Sequence, residues 1–117
     1  MSGMTYDVLL TKTFQNSLKI LKKKYPSVKD DLLTVIHGLE NNPSKGVAIQ
    51  GWDSKVWKVR AANSDATRGK SGGYRAIYYW DSCSTTVYLL FTYAKTQQVD
   101  MDKRSIEKLL KKLLDEL

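Results

Sequence analysis

Residues 56–95 read VWKVRAANSDATRGKSGGYRAIYYWDSCSTTVYLLFTYAK, and the reading of this stretch decides the fold. Three runs in it are dense in β-branched and aromatic residues: VWKVRA over 56–61, YRAIYYW over 74–80 and TVYLLFTY over 86–93. Asp81-Ser82-Cys83-Ser84 is a hairpin loop between the last two. Asn63 to Gly73 is a longer loop containing Gly and Ser. Three consecutive strands joined in this way predict an antiparallel sheet.

The same stretch is unusually basic. Residues 55–75 hold Lys55, Lys58, Arg60, Arg68, Lys70 and Arg75 against only Asp65, a net +5 and three of the four arginines of the chain. Lys58 and Arg60 are two apart in a strand and share one face. Like charges on a sheet face repel, which points to an anion between them; the alternative is an edge strand that carries cations to block aggregation. RGKSGG (68–73) places two adjacent glycines among cations, and such turns let backbone N–H groups approach a phosphate. It is not a Walker loop, because the upstream glycine is missing and no helix follows. Tyr93 closes the last strand and Lys95 follows two residues later. Cations beside a phenol favour its phenolate, so Tyr93 is a candidate general base, with a half-buried strand tyrosine as the alternative.

Outside this stretch the pattern is helical. TYDVLL (5–10) reads as a short strand. Phe14, Leu18, Leu21 and Tyr25 then form one stripe of a helix, opened by Thr11 or Thr13 and closed by Pro26. Ser27 and Asp30 have capping-box spacing before a second helix, striped by Val28, Leu32, Val35, Ile36 and Leu39 and ended near Asn41-Asn42-Pro43. A link of one or two residues predicts an antiparallel helical hairpin covering one face of the sheet. Residues 44–54 read as loop. A final helix over about 102–117 carries Ile106, Leu109, Leu110, Leu113, Leu114 and Leu117 on one face, available to dock on the sheet or to meet a partner. The lysines of the helices belong to solvated faces.

With 117 residues the chain is one domain by size, 1–117, and the predicted order is β-α-α-β-β-β-α around a four-stranded, antiparallel-dominated sheet, an α+β class. Charged residues at 26% and hydrophobic residues at 42% are ordinary globular values. The net charge of +7 raises the expectation of a polyanionic partner. One cysteine, Cys83, excludes an internal disulfide and fits a reducing compartment. One histidine, His37, beside it argues against a structural zinc site. No apolar run reaches a membrane span, and no signal peptide is read at MSGMTYDVLL. No carboxylate pair or Cys/His dyad is present.

The pattern K-x-R … R-G-K-S-G-G-x-R-x-I-Y-Y … L-L-x-x-Y-x-K, from Lys58 to Lys95, resembles the RelE/HigB branch of the RelE/ParE toxin superfamily of bacterial toxin–antitoxin systems. The element order matches across nearly the whole chain. The resemblance implies a RelE-like fold and a cytoplasmic bacterial toxin that enters the ribosomal A site and cleaves mRNA without metal or other cofactor. It implies attack of a 2′-hydroxyl on the adjacent phosphate, leaving a 2′,3′-cyclic phosphate. Arg60, Arg68, Lys70 and Arg75 match the family's basic positions and Tyr93 and Lys95 its terminal Y-x-K; Lys58 matches less closely. The expected roles are Arg60 and Arg75 on the charge of the phosphorane, Tyr93 or Lys95 on the proton, and Lys58, Arg68 and Lys70 on RNA. The histidine or glutamate used by some relatives is missing from 55–95, and Thr92 stands where some carry an acidic residue. The implied partners are mRNA, the ribosome and an antitoxin with a helix-turn-helix or other DNA-binding domain. Rival readings are a ParE-like gyrase inhibitor, a non-cleaving RNA- or ribosome-binding module, and an inactive relative.

Overall fold

The computed structural model describes residues 5–65, 72–97 and 100–117. The elements are β1 (Asp7–Leu10), α1 (Lys12–Lys22), α2 (Val28–Asn41), a 3-10 turn (Pro43–Lys45), β2 (Val47–Ala48), β3 (Val56–Ala61), β4 (Tyr74–Tyr79), β5 (Thr86–Ala94) and α3 (Lys103–Glu116). The sheet has five strands in the order β1-β5-β4-β3-β2, one more than the sequence predicts. The extra strand, β2, is two residues long inside the expected 44–54 loop, too short to show any alternation. It pairs antiparallel with β3, Val47 against Lys58 and Ala48 against Trp57. β3, β4 and β5 form the expected antiparallel meander, and β1 joins β5 in parallel.

α1 and α2 cover one face. Phe14, Leu21, Val28, Leu32 and Leu39 pack there on Val59, Tyr74, Ala76, Tyr78, Val87 and Leu89. α3 covers part of the other face, burying Ile106, Leu109 and Leu113 against Val56, Ile77, Leu90 and Tyr93. The last helix therefore docks on the sheet, while Leu114 and Leu117 stay exposed.

Polar side chains stitch the helices to the strands. The Thr11 side chain caps α1, accepting from Phe14 N at 3.1 Å, and its hydroxyl donates to Leu89 O at 2.8 Å. β1 ends opposite Leu89, so the rest of that edge of β5 needs another partner. The buried Ser17 hydroxyl supplies one, accepting from Thr92 N at 3.1 Å while donating to Phe14 O at 2.7 Å. The capping box predicted at Ser27 does not form: the Ser27 side chain makes no capping bond. Its backbone N–H donates instead to the Asp65 carboxylate at 2.7 Å, so the helix start takes its anion from across the fold. The link between α1 and α2 spans residues 23–27, longer than the predicted one or two, because α1 stops at Lys22, four residues before Pro26.

A β-bulge sets the phase of β5. Ile77 pairs with Phe91 and Tyr78 with Leu89, leaving Leu90 without a partner. Before the bulge Val87 and Leu89 face the helical hairpin; after it Phe91 and Tyr93 face α3. One inserted residue thus moves Tyr93 to the face of the sheet that carries Arg60 and Arg75.

Three phenols are buried. Tyr78, with no exposed surface, donates to Pro43 O at 2.6 Å and accepts from Gly46 N at 3.2 Å. Burial pushes it up to about 12, partly offset by the Gly46 N–H. Burial, then the carboxylates of Asp31 and Asp65, hold Tyr74 higher still; Tyr93 is raised too. Below the ordinary value of 10.0 both folded and unfolded chains keep these protons. Above it the unfolded chain ionises first, so stability falls as pH rises from 10.0 towards about 12. We expect the phenolate absorbance of these three tyrosines to appear only together with loss of the circular dichroism signal. Their full ionisation in a folded chain would contradict the packing.

Candidate nucleic-acid interface

The meander brings three of the sequence-selected residues into one row. Arg60 on β3 is the register partner of Arg75 on β4, and Arg75 is the register partner of Tyr93 on β5. Partners on adjacent strands stand about 5 Å apart and point to the same face. That face is the one α3 partly covers. Two arginines directly opposite each other repel, so the pairing suits a face that receives a shared anion.

Each member of the row is held differently. Arg60 is exposed at the end of β3, beyond the reach of β2. Arg75 is only 6% exposed. One guanidinium nitrogen donates to Gly72 O and, at 3.2 Å, to Tyr74 O. Those two carbonyls fix the fork in place before any ligand arrives, and the backbone carbonyl of Arg75 accepts from the Thr92 hydroxyl at 2.9 Å. Thr92 itself points away from the row, buried on the opposite side of β5, so position 92 offers no group to this face.

Tyr93 is 3% exposed, and its hydroxyl is buried with no hydrogen-bond partner among the described residues. An unpaired buried hydroxyl carries a desolvation cost of about 1–3 kcal/mol. Its phenol is shifted upward, against the direction that the neighbouring cations alone would give. Desolvation raises it first, the Asp100 carboxylate raises it further, and the Arg75 cation lowers it less. Burial thus favours the protonated phenol of Tyr93.

Lys95 extends the site past the end of β5. Its backbone N–H donates to Gly73 O at 2.9 Å, and its side chain lies against Gly72. Lys58 lies two residues from Arg60 on the same face, opposite Ile77, and its ammonium meets the Asp100 carboxylate at 2.7 Å. Lys58, then Lys95 and Arg75, hold Asp100 below the usual carboxylate range. Asp100 is the residue sequence reasoning missed: it lies 42 positions from Lys58, and nothing in its own neighbourhood announces the pairing. Arg68 and Lys70 lie outside the described residues. No cluster of metal-ligating side chains exists among the described residues, and no described helix is long and apolar enough to cross a membrane. His37 is on the surface of α2, beside Glu40, and Cys83 is exposed in the β4–β5 hairpin.

This arrangement, a helical hairpin on one face of a mostly antiparallel sheet and a third helix on the other, is a RelE-like α+β fold. No known family model matches the sequence, and no curated protein matches it. Solved structures do match in shape. The toxin–antitoxin complex RelBE2 from Mycobacterium tuberculosis contains a chain that is 20% identical, with a TM-score of 0.58 over 80% of this chain and 94% of that one. The E. coli toxin RelE, as a variant with two arginines replaced by alanine and in the free state, is 15% identical, with a TM-score of 0.58 over 92% of this chain and 97% of that one. At these identities the likeness is one of fold.

Proposed function

We propose that this chain is the toxin of a type II toxin–antitoxin pair and a ribosome-dependent endoribonuclease that cuts mRNA in the ribosomal A site. The observation that carries the reading is the row Arg60–Arg75–Tyr93 across three adjacent strands, flanked by Lys58 and Lys95. The fold shared with RelE and with a chain of a toxin–antitoxin complex supports it.

The chemistry follows from the row. The 2′-hydroxyl attacks the adjacent phosphorus and loses its proton to solvent water, the bond to the 5′-oxygen breaks as that oxygen takes up a proton, and a 2′,3′-cyclic phosphate and a 5′-hydroxyl result. The phosphorane between them carries more negative charge than the diester. Cations fixed in advance stabilise it more than they stabilise the ground state. Arg75, anchored on two carbonyls, and Arg60 beside it take that charge. Lys95 neutralises the neighbouring phosphate, and Lys58 meets the RNA beyond it. Tyr93, kept protonated by burial, gives its proton to the departing 5′-oxygen. That role requires the cover over its hydroxyl, in the cluster under α3, to shift as substrate enters.

The test is primer extension on mRNA translated in vitro with the purified protein, with and without ribosomes. Cuts confined to A-site codons and dependent on ribosomes are expected. Intact mRNA together with inhibited supercoiling would replace this reading by gyrase inhibition. Tyr93→Phe is expected to slow cleavage by about 10²-fold or more, with the thermal midpoint kept or raised, because the unpaired hydroxyl is gone. Full activity in Tyr93→Phe would remove the phenol from the reaction. The partner expected of such a toxin is an antitoxin encoded beside it, with a DNA-binding domain; copurification from coexpressed neighbouring genes tests that.

A further inference from the structure

Ser17 is a polar side chain in an apolar place. It lies on the buried side of α1 with Phe14 and Leu21 and is only 5% exposed. An alanine there would suit both the helix and the core better. What serine adds is a hydroxyl, which donates to Phe14 O at 2.7 Å and accepts from Thr92 N at 3.1 Å.

The Thr92 N–H can reach Ser17 in only one phase of β5. The N–H and C=O of one residue leave a strand on the same side, and successive residues alternate. The carbonyls of Thr85 and Leu89 face β1, accepting from Asp7 N at 2.9 Å and Thr11 N at 3.1 Å. Strict alternation would turn residues 91 and 93 to that side as well, and the Thr92 N–H towards β4. The insertion at Leu90 reverses the order, so that Thr92 offers its N–H to α1. The same reversal sends the Tyr93 side chain to the face of Arg75.

α1 grips β5 on both sides of that insertion. Before it, Thr11 donates to Leu89 O from its hydroxyl at 2.8 Å and from its N–H. After it, Ser17 holds Thr92. The six-residue rise from Thr11 to Ser17 is about 9 Å in a helix, and three strand residues span about 10 Å, so the two grips match in length. A further bond continues the line, because the Thr92 hydroxyl donates to Arg75 O at 2.9 Å. Ser17, Thr92 and Arg75 are all buried, so the line from helix to row runs through groups that water does not contest.

We propose that Ser17 is a positioning residue: by accepting from the Thr92 N–H it holds β5 in the bulged phase that places Tyr93 beside Arg75. Its meaning for catalysis rests on the nuclease reading above; its effect on β5 does not. The test is Ser17→Ala in the full-length chain, read in two ways. By NMR, the parent is expected to show the Tyr93 ring only in the cluster of Leu90 and Ile106. In Ser17→Ala the Thr92 N–H is expected to exchange about tenfold faster, and a second set of Tyr93 signals to appear against Val87 and Leu89. Single-turnover cleavage on programmed ribosomes is expected to slow by about 10–10²-fold, with ribosome affinity unchanged. Added to Tyr93→Phe, the same substitution is expected to cost less than it does in the parent, because the group it positions is already gone. Should Ser17→Ala not fold, Ser17→Cys, a weaker acceptor, is read in its place with the same directions expected. A single Tyr93 environment with unchanged Thr92 exchange would overturn the proposal, as would a rate loss that simply multiplies with that of Tyr93→Phe. A parent that leaves ribosome-bound mRNA intact would remove the nuclease reading, and the NMR readout alone would then decide the role of Ser17.

Discussion

Arg75→Ala is expected, on the nuclease reading, to lower the rate of mRNA cleavage by about 10²–10³-fold, the range seen when one preorganised group aimed at a developing negative charge is removed. The size of the effect follows from how Arg75 is held. The residue is only 6% exposed, and two backbone carbonyls fix the direction of its guanidinium. No reorganisation is needed as charge builds on the phosphate. Arg60 is exposed at the strand end and free to be solvated, so Arg60→Ala is expected to cost less. Arg75→Lys separates charge from geometry. A lysine keeps the charge but lacks the planar fork; it is expected to recover part of the lost rate and not all of it. The measurement is single-turnover cleavage on programmed ribosomes, with circular dichroism to verify folding. If Arg75→Ala folds and cleaves as the parent does, the row is not the catalytic site.

Gly73→Ala is expected to destabilise the fold by about 2–5 kcal/mol, combining a left-handed backbone with overpacking. Gly73 has φ +67°, and a Cβ there would sit 2.1 Å from the carbonyl oxygen of Ala61, 3.2 Å from its carbonyl carbon and 3.3 Å from Ala62 Cα. Those atoms are backbone of β3 and its exit, so no rotamer change relieves the clash. Gly73 also accepts the Lys95 N–H, so the strain falls on the corner that carries Arg75 and Lys95. Gly51→Ala is the control. Its φ is +96°, but nothing lies within 4 Å of the added carbon, so only backbone strain is incurred. Urea unfolding of both variants decides the matter. A Gly73→Ala loss no greater than that of Gly51→Ala would mean that the approach of β3 to this corner is looser than described.

The sequence was readable where the physics is local. The meander could be drawn from three runs of β-branched and aromatic residues, and the helical hairpin from stripes such as Phe14–Leu21 and Val28–Leu32–Leu39, each of which is buried. The convergence of Arg60 and Arg75 with Tyr93 was visible only as a motif. Its geometry depends on the bulge at Leu90, and no residue type marks that insertion. Strict alternation along β5 would have put Tyr93 with Val87 and Leu89, under the helical hairpin. The burial of Tyr93 agrees with the plainer sequence reading of a strand tyrosine, and the nearby cations that pointed to a phenolate are opposed by that burial and by Asp100, a residue brought in across the fold. The cap at Ser27 failed because a distant carboxylate, Asp65, reaches its N–H. β2 is a strand only because β3 offers it an edge.

The parallel pairing of β1 with β5 has a consequence for synthesis. Asp7 pairs with Thr86 and Leu10 with Leu89, a sequence separation of 79 positions. A chain made from its N-terminus therefore exposes β1, α1 and α2 long before the strand they pack on exists. During that interval the apolar sides of Phe14, Leu21, Leu32 and Leu39 have no sheet to cover them. The meander that carries the cationic row is local and can assemble as soon as residue 94 has emerged; β1 can add to it only then. The last closure is later still, when the Glu116 carboxylate reaches the Lys12 N–H at 3.0 Å and ties α3 to the start of α1. Contacts of such high order slow folding. A chain halted before α3 would have its row of cations assembled but uncovered, and its first helix without that carboxylate.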